Sequence, residues 1–343
     1  MTATTIAASV AVLGLLIFFH EVGHFLAAKK FGILVREFAL GMGPRLATVV
    51  RGETEYAVRV LPFGGFVRMA GADGEDAPPG RGFSDKPVWQ RMTVVASGPA
   101  MNFVLAILLL TAIFFAVGVS YPTTVLAEVV PGSPADAAGL RPGDQVVAVN
   151  RVPVREWAEV VRVVQQSPNL PVAIEVQRDE GRVTVEVVPR LGDEGVGVMG
   201  VRSLMKVRRL ALPVALREGV VQTVGIVVFW MRSLVLMVLR RIQADLAGPV
   251  GIGQLIGEAA RMGLVNLMYL AAVLSANLGL INLLPIPALD GSRLMFLGVE
   301  GVRGRPIDPE KENFIHLVGF ALLIAAVILI TFRDIARLAS GGG

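Results

Sequence analysis

The stretch His20-Glu21-Val22-Gly23-His24 lies inside an apolar run that begins at Ile6 and resumes from Phe25 to Ala28. Residues i and i+4 share one face of a helix. Two imidazoles at this spacing can therefore hold one metal ion, while the glutamate between them reaches a water beside it. The alternative, two histidines buried in a soluble helix, fits the surroundings poorly. Placing His, Glu and His in a membrane-crossing segment costs several kcal/mol unless they are paired or coordinated. Of the 343 residues, 54% are hydrophobic and only 17% are charged, with a mean hydropathy of +0.64. Soluble domains carry about a quarter charged residues, so an ordinary soluble enzyme is excluded, as is a disordered chain. With no cysteine, disulfides, thiolate metal sites and cysteine nucleophiles drop out. The net charge of +4 is better explained by basic residues flanking apolar spans than by nucleic acid, and no nucleic-acid partner is expected.

Four segments have the roughly twenty apolar residues that a bilayer-crossing helix needs: the one carrying the two histidines, Phe103 to Val119, Gly263 to Leu289, and Phe314 to Phe332. The first has no basic residue before its apolar run, and its first positive charges are Lys29 and Lys30. It reads as a retained span rather than a cleaved signal. The same bias puts the N-terminus outside and the basic stretch 32–96 in the cytoplasm. A fifth apolar stretch, Gly219 to Leu239, contains Gln222 and Arg232 and ends at Arg240-Arg241. If it crossed, Asp290 would finish on the face opposite His20 and His24, so residues 219–239 are expected to lie in the membrane interface.

Within the cytoplasmic loop, Leu46 to Arg51 and Glu55 to Val60 alternate around Gly52-Glu53 and predict a β-hairpin. Phe66 to Met69 and the acidic, proline-rich run Asp73 to Gly80 follow. This region is either a solvated connector or an exposed strand edge able to pair with an extended peptide. From Val125 to Arg190 the character becomes soluble. Strands are expected at Val125–Val130, Gln145–Val149, Val172–Gln177 and Val183–Val188, with helices at Ala135–Ala138 and Glu156–Gln166. With the turns at Pro131-Gly132-Ser133 and Arg141-Pro142-Gly143-Asp144, this order resembles a PDZ domain of the bacterial, protease-associated kind, present once. Arg151 stands where that pattern usually has glycine.

Two histidines leave a catalytic metal one protein ligand short. Asp290 ends the longest uncharged run, after Pro285 and Pro287, which break a helix and free backbone groups at membrane depth. His316 is the competing candidate, with interfacial anchoring as its other explanation.

At this point the chain resembles the site-2 protease family of intramembrane zinc metalloproteases. HEVGH in the first span is paired with Asn-Leu-Leu-Pro-Ile-Pro-Ala-Leu-Asp-Gly at 282–291. The order of segments resembles the bacterial RseP-like branch, with a single PDZ domain in place of a tandem. The resemblance implies Zn2+ held by His20, His24 and Asp290, with Glu21 as general base. It also implies substrate contacts from Asn277, Asn282 and the stretch after the hairpin, including Gly65, Phe66 and Val67. Ser97 to Phe103 is similar to the start of the family's second span, and helix packing accounts for Gly98 and Asn102.

The expected fold is thus a polytopic α-helical membrane protein with four transmembrane helices, a cytoplasmic β-hairpin loop and an inserted extracytoplasmic PDZ domain of α+β type. Its segments are 1–31, first helix with HExxH; 32–96, cytoplasmic loop; 97–121, second helix; 122–192, PDZ domain; 193–262, linker and interfacial helix; 263–302, third helix and the Leu-Asp-Gly segment; and 303–343, fourth helix. The expected activity is zinc-dependent hydrolysis of peptide bonds in the transmembrane segments of single-pass membrane proteins, in regulated proteolysis at the inner or cytoplasmic membrane. A pre-cleaved, anti-sigma-factor-like regulator is one such partner, and the lipid bilayer is the other. The alternative is a non-catalytic adaptor that gathers partners through its PDZ domain and keeps a structural metal. The PDZ domain itself either captures a newly exposed C-terminus or excludes substrates with bulky outer domains.

Overall fold

The computed structural model describes residues 2–72, 75–179, 181–192, 195–241, 248–305 and 307–339. Asp73 and Gly74 of the expected acidic loop and the terminal Gly341–Gly343 lie outside the described residues. In chain order the elements are α1 (Ala3–Lys30), β1 (Val35–Arg51), β2 (Thr54–Met69), α2 (Val88–Ala116), β3 (Val119–Val129), α3 (Pro134–Ala137), β4 (Gln145–Val149), β5 (Val152–Pro153) and α4 (Trp157–Gln165). They continue with β6 (Val172–Arg178), β7 (Gly181–Val187), β8 (Arg190–Leu191), β9 (Gly197–Val198), β10 (Val201–Arg208), α5 (Leu212–Val238), α6 (Pro249–Met262), α7 (Leu264–Leu283), α8 (Asp290–Arg303) and α9 (Pro309–Ala339). They fall into two units, 1–114 with 211–343, and 115–210.

In the first unit, α1 starts where the Thr2 hydroxyl accepts the Thr5 N–H, a side-chain cap of the usual kind. It is apolar on every side, as befits a helix whose surroundings are themselves apolar. Val12 and Leu16 pack with Ile256 of α6 and Ala271 of α7. Among the described residues, five helices are long and apolar enough to cross a membrane by length and composition: α1, α2, α5, α7 and most of α9. The expectation of four such helices left out α5, which is continuous over 27 residues. Its Ile226 joins a core with Ala106 and Leu110 of α2 and Ala272 and Ala276 of α7.

The loop between α1 and α2 contains the expected hairpin, closed where Arg51 pairs Thr54, but its strands are longer than the alternating runs suggested. They bend and pair twice. Glu37–Leu40 are flanked by Gly65–Arg68 on one side and Glu55–Val58 on the other, and Glu55–Val58 also pair with Ala47–Val50. The result is a small four-segment sheet with Gly65–Met69 at one edge. Gly41, at φ +87°, allows the bend, and a side chain there would land 2.4 Å from Leu61 O. Buried Glu37 is held by Arg59 at 2.6 Å and Arg45 at 3.4 Å.

The second unit is a sheet in the order β10-β3-β4-β6-β7, with β5 hairpinned onto β4. Val172, Ile174 and Val176 alternate inward along β6 with no exposure, the period-two pattern of a half-buried strand. They pack with Leu126, Val146, Val160 and Val164, the last two being i, i+4 neighbours on α4. The sheet takes in residues outside 122–192, because β10 pairs along the length of β3. Asn150 and Arg151 form the two-residue turn between β4 and β5, both with positive φ, at 51° and 67°. This turn geometry favours Asn-Gly, which is why the sequence pattern has glycine where Arg151 stands.

Candidate active site

Three polar side chains meet among the helices of the first unit. His20 Nε2 and His24 Nε2 are 3.2 Å apart, and Asp290 Oδ2 lies 3.1 Å from the first and 3.4 Å from the second. One ligand atom from each falls within 4.8 Å of the others, the only such group among the described residues.

Each arrives there for a local reason. The histidines are one helical turn apart on α1. Asp290 is the first residue of α8, and α7 stops at Leu283 because the residue before a proline disfavours helical backbone. The intervening segment bends through Ala288 at φ 76°, and the Ala288 N–H donates to His316 Nδ1 at 3.2 Å. His316 is not in the group formed by His20, His24 and Asp290. It braces the segment that delivers Asp290.

Helix α2 backs the site. His24 Nδ1–H donates to Val94 O at 2.9 Å, which leaves Nε2 with its lone pair free. This bond requires near-contact between the two helices, and glycines permit it. A side chain at Gly98 would sit 2.3 Å from His24 Nε2, and one at Gly23 would sit 2.1 Å from Ser97 O. Asn102, on the same helix, places Nδ2 3.1 Å from His20 Nδ1. Arg91 and Glu300 form a two-pronged ion pair, 3.0 Å for Nη1 to Oε2, that ties α2 to α8.

The donor set fits a zinc ion. Asp290 Oδ2 is buried between two ring nitrogens yet has no hydrogen-bond partner among the described residues. Two imidazoles and one carboxylate are a common catalytic zinc set, with room left for water.

Glu21 is buried and lines the same cavity of about 630 Å³ as His20, His24 and Asp290. Gly65, Phe66 and Val67 from the sheet edge and Asn282 from the end of α7 also line it. A side chain at Gly65 would fall 2.9 Å from Glu21 Cγ, so only glycine lets the edge approach the acid this closely. Asn277 is on α7 but not among the lining residues. The arrangement can position a peptide carbonyl beside a metal and a carboxylate. Sequence reasoning missed the backing by Val94, the Arg91–Glu300 pair and the bracing by His316. The stretch Ser97 to Phe103 was the local signal, and its Gly98 and Asn102 were read as packing.

Comparison with known proteins gives the family. The profile described as Peptidase family M50 matches residues 8–326. The zinc metalloprotease RasP of Bacillus licheniformis is 34% identical over 418 residues, covering 97% of this chain and 99% of that one. The regulator of sigma-W protease RasP of Bacillus subtilis is 33% identical, covering 98% and 100%. A putative zinc metalloprotease of Clostridium acetobutylicum is 32% identical over 337 residues, covering 98% of each chain. Among solved structures, the PDZ domain of an SdrC-like protein from Listeria monocytogenes covers 25% of this chain at 16% identity with a TM-score of 0.23, a likeness that carries no weight for the fold. The matched stretch spans both HEVGH and Asp290, and the chain belongs to peptidase family M50, the site-2 protease family, as a zinc metalloprotease.

Proposed function

We propose that the protein is an intramembrane endopeptidase that cuts within the transmembrane segments of single-pass membrane proteins. The observation that carries this reading is the meeting of His20, His24 and Asp290 among apolar helices, with Glu21 in a cavity bordered by the free edge Gly65–Met69. A zinc ion held by His20, His24 and Asp290 would supply an acidified water and polarise the scissile carbonyl. Glu21 takes the proton of the attacking water and returns it to the leaving amine. A peptide in a helix hides its carbonyls in hydrogen bonds to the amide four residues on, so the substrate must be extended at the cut. Gly65–Met69 is an edge to which such a segment can add as a strand, and Asn282, which lines the same cavity, would hold its backbone.

The geometry of the first unit also supports four crossings rather than five. His24 meets Val94 while His20 meets Asn102, so α1 and α2 run in opposite directions. Ala271 packs near Val12 and Leu16, whereas Asn282 lines the cavity with His20. The end of α2 and the start of α7 therefore lie on the side where α1 begins, and the chain between them crosses an even number of times. A single crossing by α5 would break that parity, so on this reading α5 packs beside α2 and α7 through Ile226 without adding a crossing of its own. The basic loop after α1 puts that beginning outside, together with the PDZ-like unit.

The substrates we infer are single-pass regulators already trimmed outside the membrane, of the anti-sigma-factor kind that the family resemblance implies, and one relative is named a regulator of sigma-W protease. The test is cleavage of a pre-trimmed single-pass reporter in liposomes, with bound zinc counted. Glu21→Gln is expected to keep zinc and lower turnover by about 10²- to 10⁴-fold, and Asp290→Ala to lose zinc. Cleavage that survives Glu21→Gln removes Glu21 as the base, and a wild type that binds zinc without cleaving moves the protein to a zinc-bearing adaptor.

A further inference from the structure

The two histidine ligands are backed differently. His24 is settled by a backbone carbonyl, whereas the Nδ1 of His20 faces, among the described residues, the side-chain amide of Asn102. Asn102 is completely buried, and its Oδ1 has no donor among the described residues. A neutral imidazole carries its proton on one nitrogen and a lone pair on the other. With the amide nitrogen toward Nδ1, the proton of His20 sits on Nε2, and that nitrogen cannot hold a metal. Turning the amide end for end exchanges its oxygen and nitrogen without moving the side chain. Nδ1–H then donates to Oδ1, and the Nε2 lone pair points at the same place as His24 Nε2 and Asp290 Oδ2.

From this we infer that Asn102 is a positioning residue, whose side-chain oxygen accepts the Nδ1–H of His20 and holds that ring in its metal-binding tautomer. The inference rests on the zinc reading above. Packing alone does not account for the residue. The contact between α2 and α7 at this point is made by its backbone, where Ser275 Oγ donates to Asn102 O at 2.8 Å. An apolar side chain would fill the same volume without burying an amide that needs partners. Outer partners of this kind orient a ligating histidine and raise its basicity.

Zinc affinity of the full chain in detergent, measured by competition with a chromophoric chelator, tests this, with thermal unfolding of the metal-free protein as the control for folding. Asn102→Leu is expected to weaken zinc binding by about 10- to 100-fold without moving the metal-free unfolding. Asn102→Asp, which keeps an acceptor and no donor, is expected to restore it. Wild-type affinity in Asn102→Leu overturns the inference, and so does an Asn102→Asp as weak as Asn102→Leu. If Asn102→Leu does not fold, nitrogen-15 histidine spectra of the zinc-loaded wild type decide, with only three histidines to assign. A protonated, slowly exchanging Nδ1 on His20 supports the inference, and a protonated Nε2 overturns it. A wild-type chain that takes up no zinc removes the metal-site reading and this inference with it, whereas a zinc-binding wild type with an indifferent Asn102→Leu removes only the inference.

Discussion

Ile174 in β6 and His24 in α1 are both buried, but by opposite means. Around Ile174 the sheet unit follows the rule for a chain in water: apolar side chains alternate inward and charged ones such as Arg182 and Arg202 stay outside. Around His24 the polarity is reversed. The large apolar side chains of the helices, Leu322 and Leu329 among them, are exposed, and the polar ones turn inward to each other. In the first case burial itself stabilises, by about 25 cal/mol per Å² of apolar surface. In the second, surrounding lipid is as apolar as leucine, so close packing and paired polar groups must hold the helices. Glycine contacts and a few directed hydrogen bonds therefore carry at the site what a hydrophobic core carries in the sheet.

Substitutions at the two places should separate these modes. The largest effect is expected at Gly98→Ala, where the added carbon would meet His24 Nε2 at 2.3 Å. Zinc affinity and cleavage should both fall at least tenfold, as when a ligand loses its support, while the second unit keeps its resistance to proteolysis. Unchanged zinc affinity would show that the helices can part without cost, and the comparison would fail. Ile174→Ala is the converse. A large-to-small change at a fully buried position costs about 2–5 kcal/mol, readable as faster proteolysis of residues 115–210 in the full chain, with zinc affinity unaltered.

Acid should act on the second unit through Asp144. Burial pushes its carboxyl up, but the Arg178 guanidinium at 2.7 Å and the Arg141 N–H at 2.8 Å outweigh this and leave it below the usual aspartate value. A depressed carboxyl contributes stability that is fully present above the unfolded value, near ~3.9, and is lost as pH falls through the folded one. The protease resistance of this unit should decline below about pH 4, and Asp144→Asn should flatten that dependence while lowering stability at neutral pH. A decline that persists unchanged in Asp144→Asn assigns the acid sensitivity elsewhere. The smallest effect is expected at Arg151→Gly. Left-handed backbone costs a side-chain-bearing residue about 1–2 kcal/mol, partly offset by the entropy glycine loses on folding, so the turn should gain roughly 0.5–1 kcal/mol. A loss of stability would mean that the Arg151 side chain contributes something the backbone geometry does not show.

Much of this was legible in the chain. The inward alternation of β6 and the turns at Gly132 and Gly143 announced the sheet unit, because in water the pattern of burial is written residue by residue. HEVGH and Asp290 announced the site, because ionisable groups within apolar runs have few reasons to be there. Legibility failed where lipid removes the pattern. Helix α5 has the length and composition of a span, and nothing in its own pattern tells a crossing helix from one that packs beside α2 and α7. The doubled pairing of β1 and β2 was hidden because alternation marks a strand's faces, not its neighbours.

The sequence by itself determined that two histidines would share a helical face in an apolar segment and that an aspartate after two prolines was a candidate to join them, since helical periodicity and proline sterics are local. Only the tertiary structure decided that the aspartate does meet them, with His316 serving as its brace. It also decided that Gly98 lets α2 come close enough for Val94 to orient His24, and that Asn102 faces His20. Those are distances between helices far apart in the chain, and they depend on which surfaces touch.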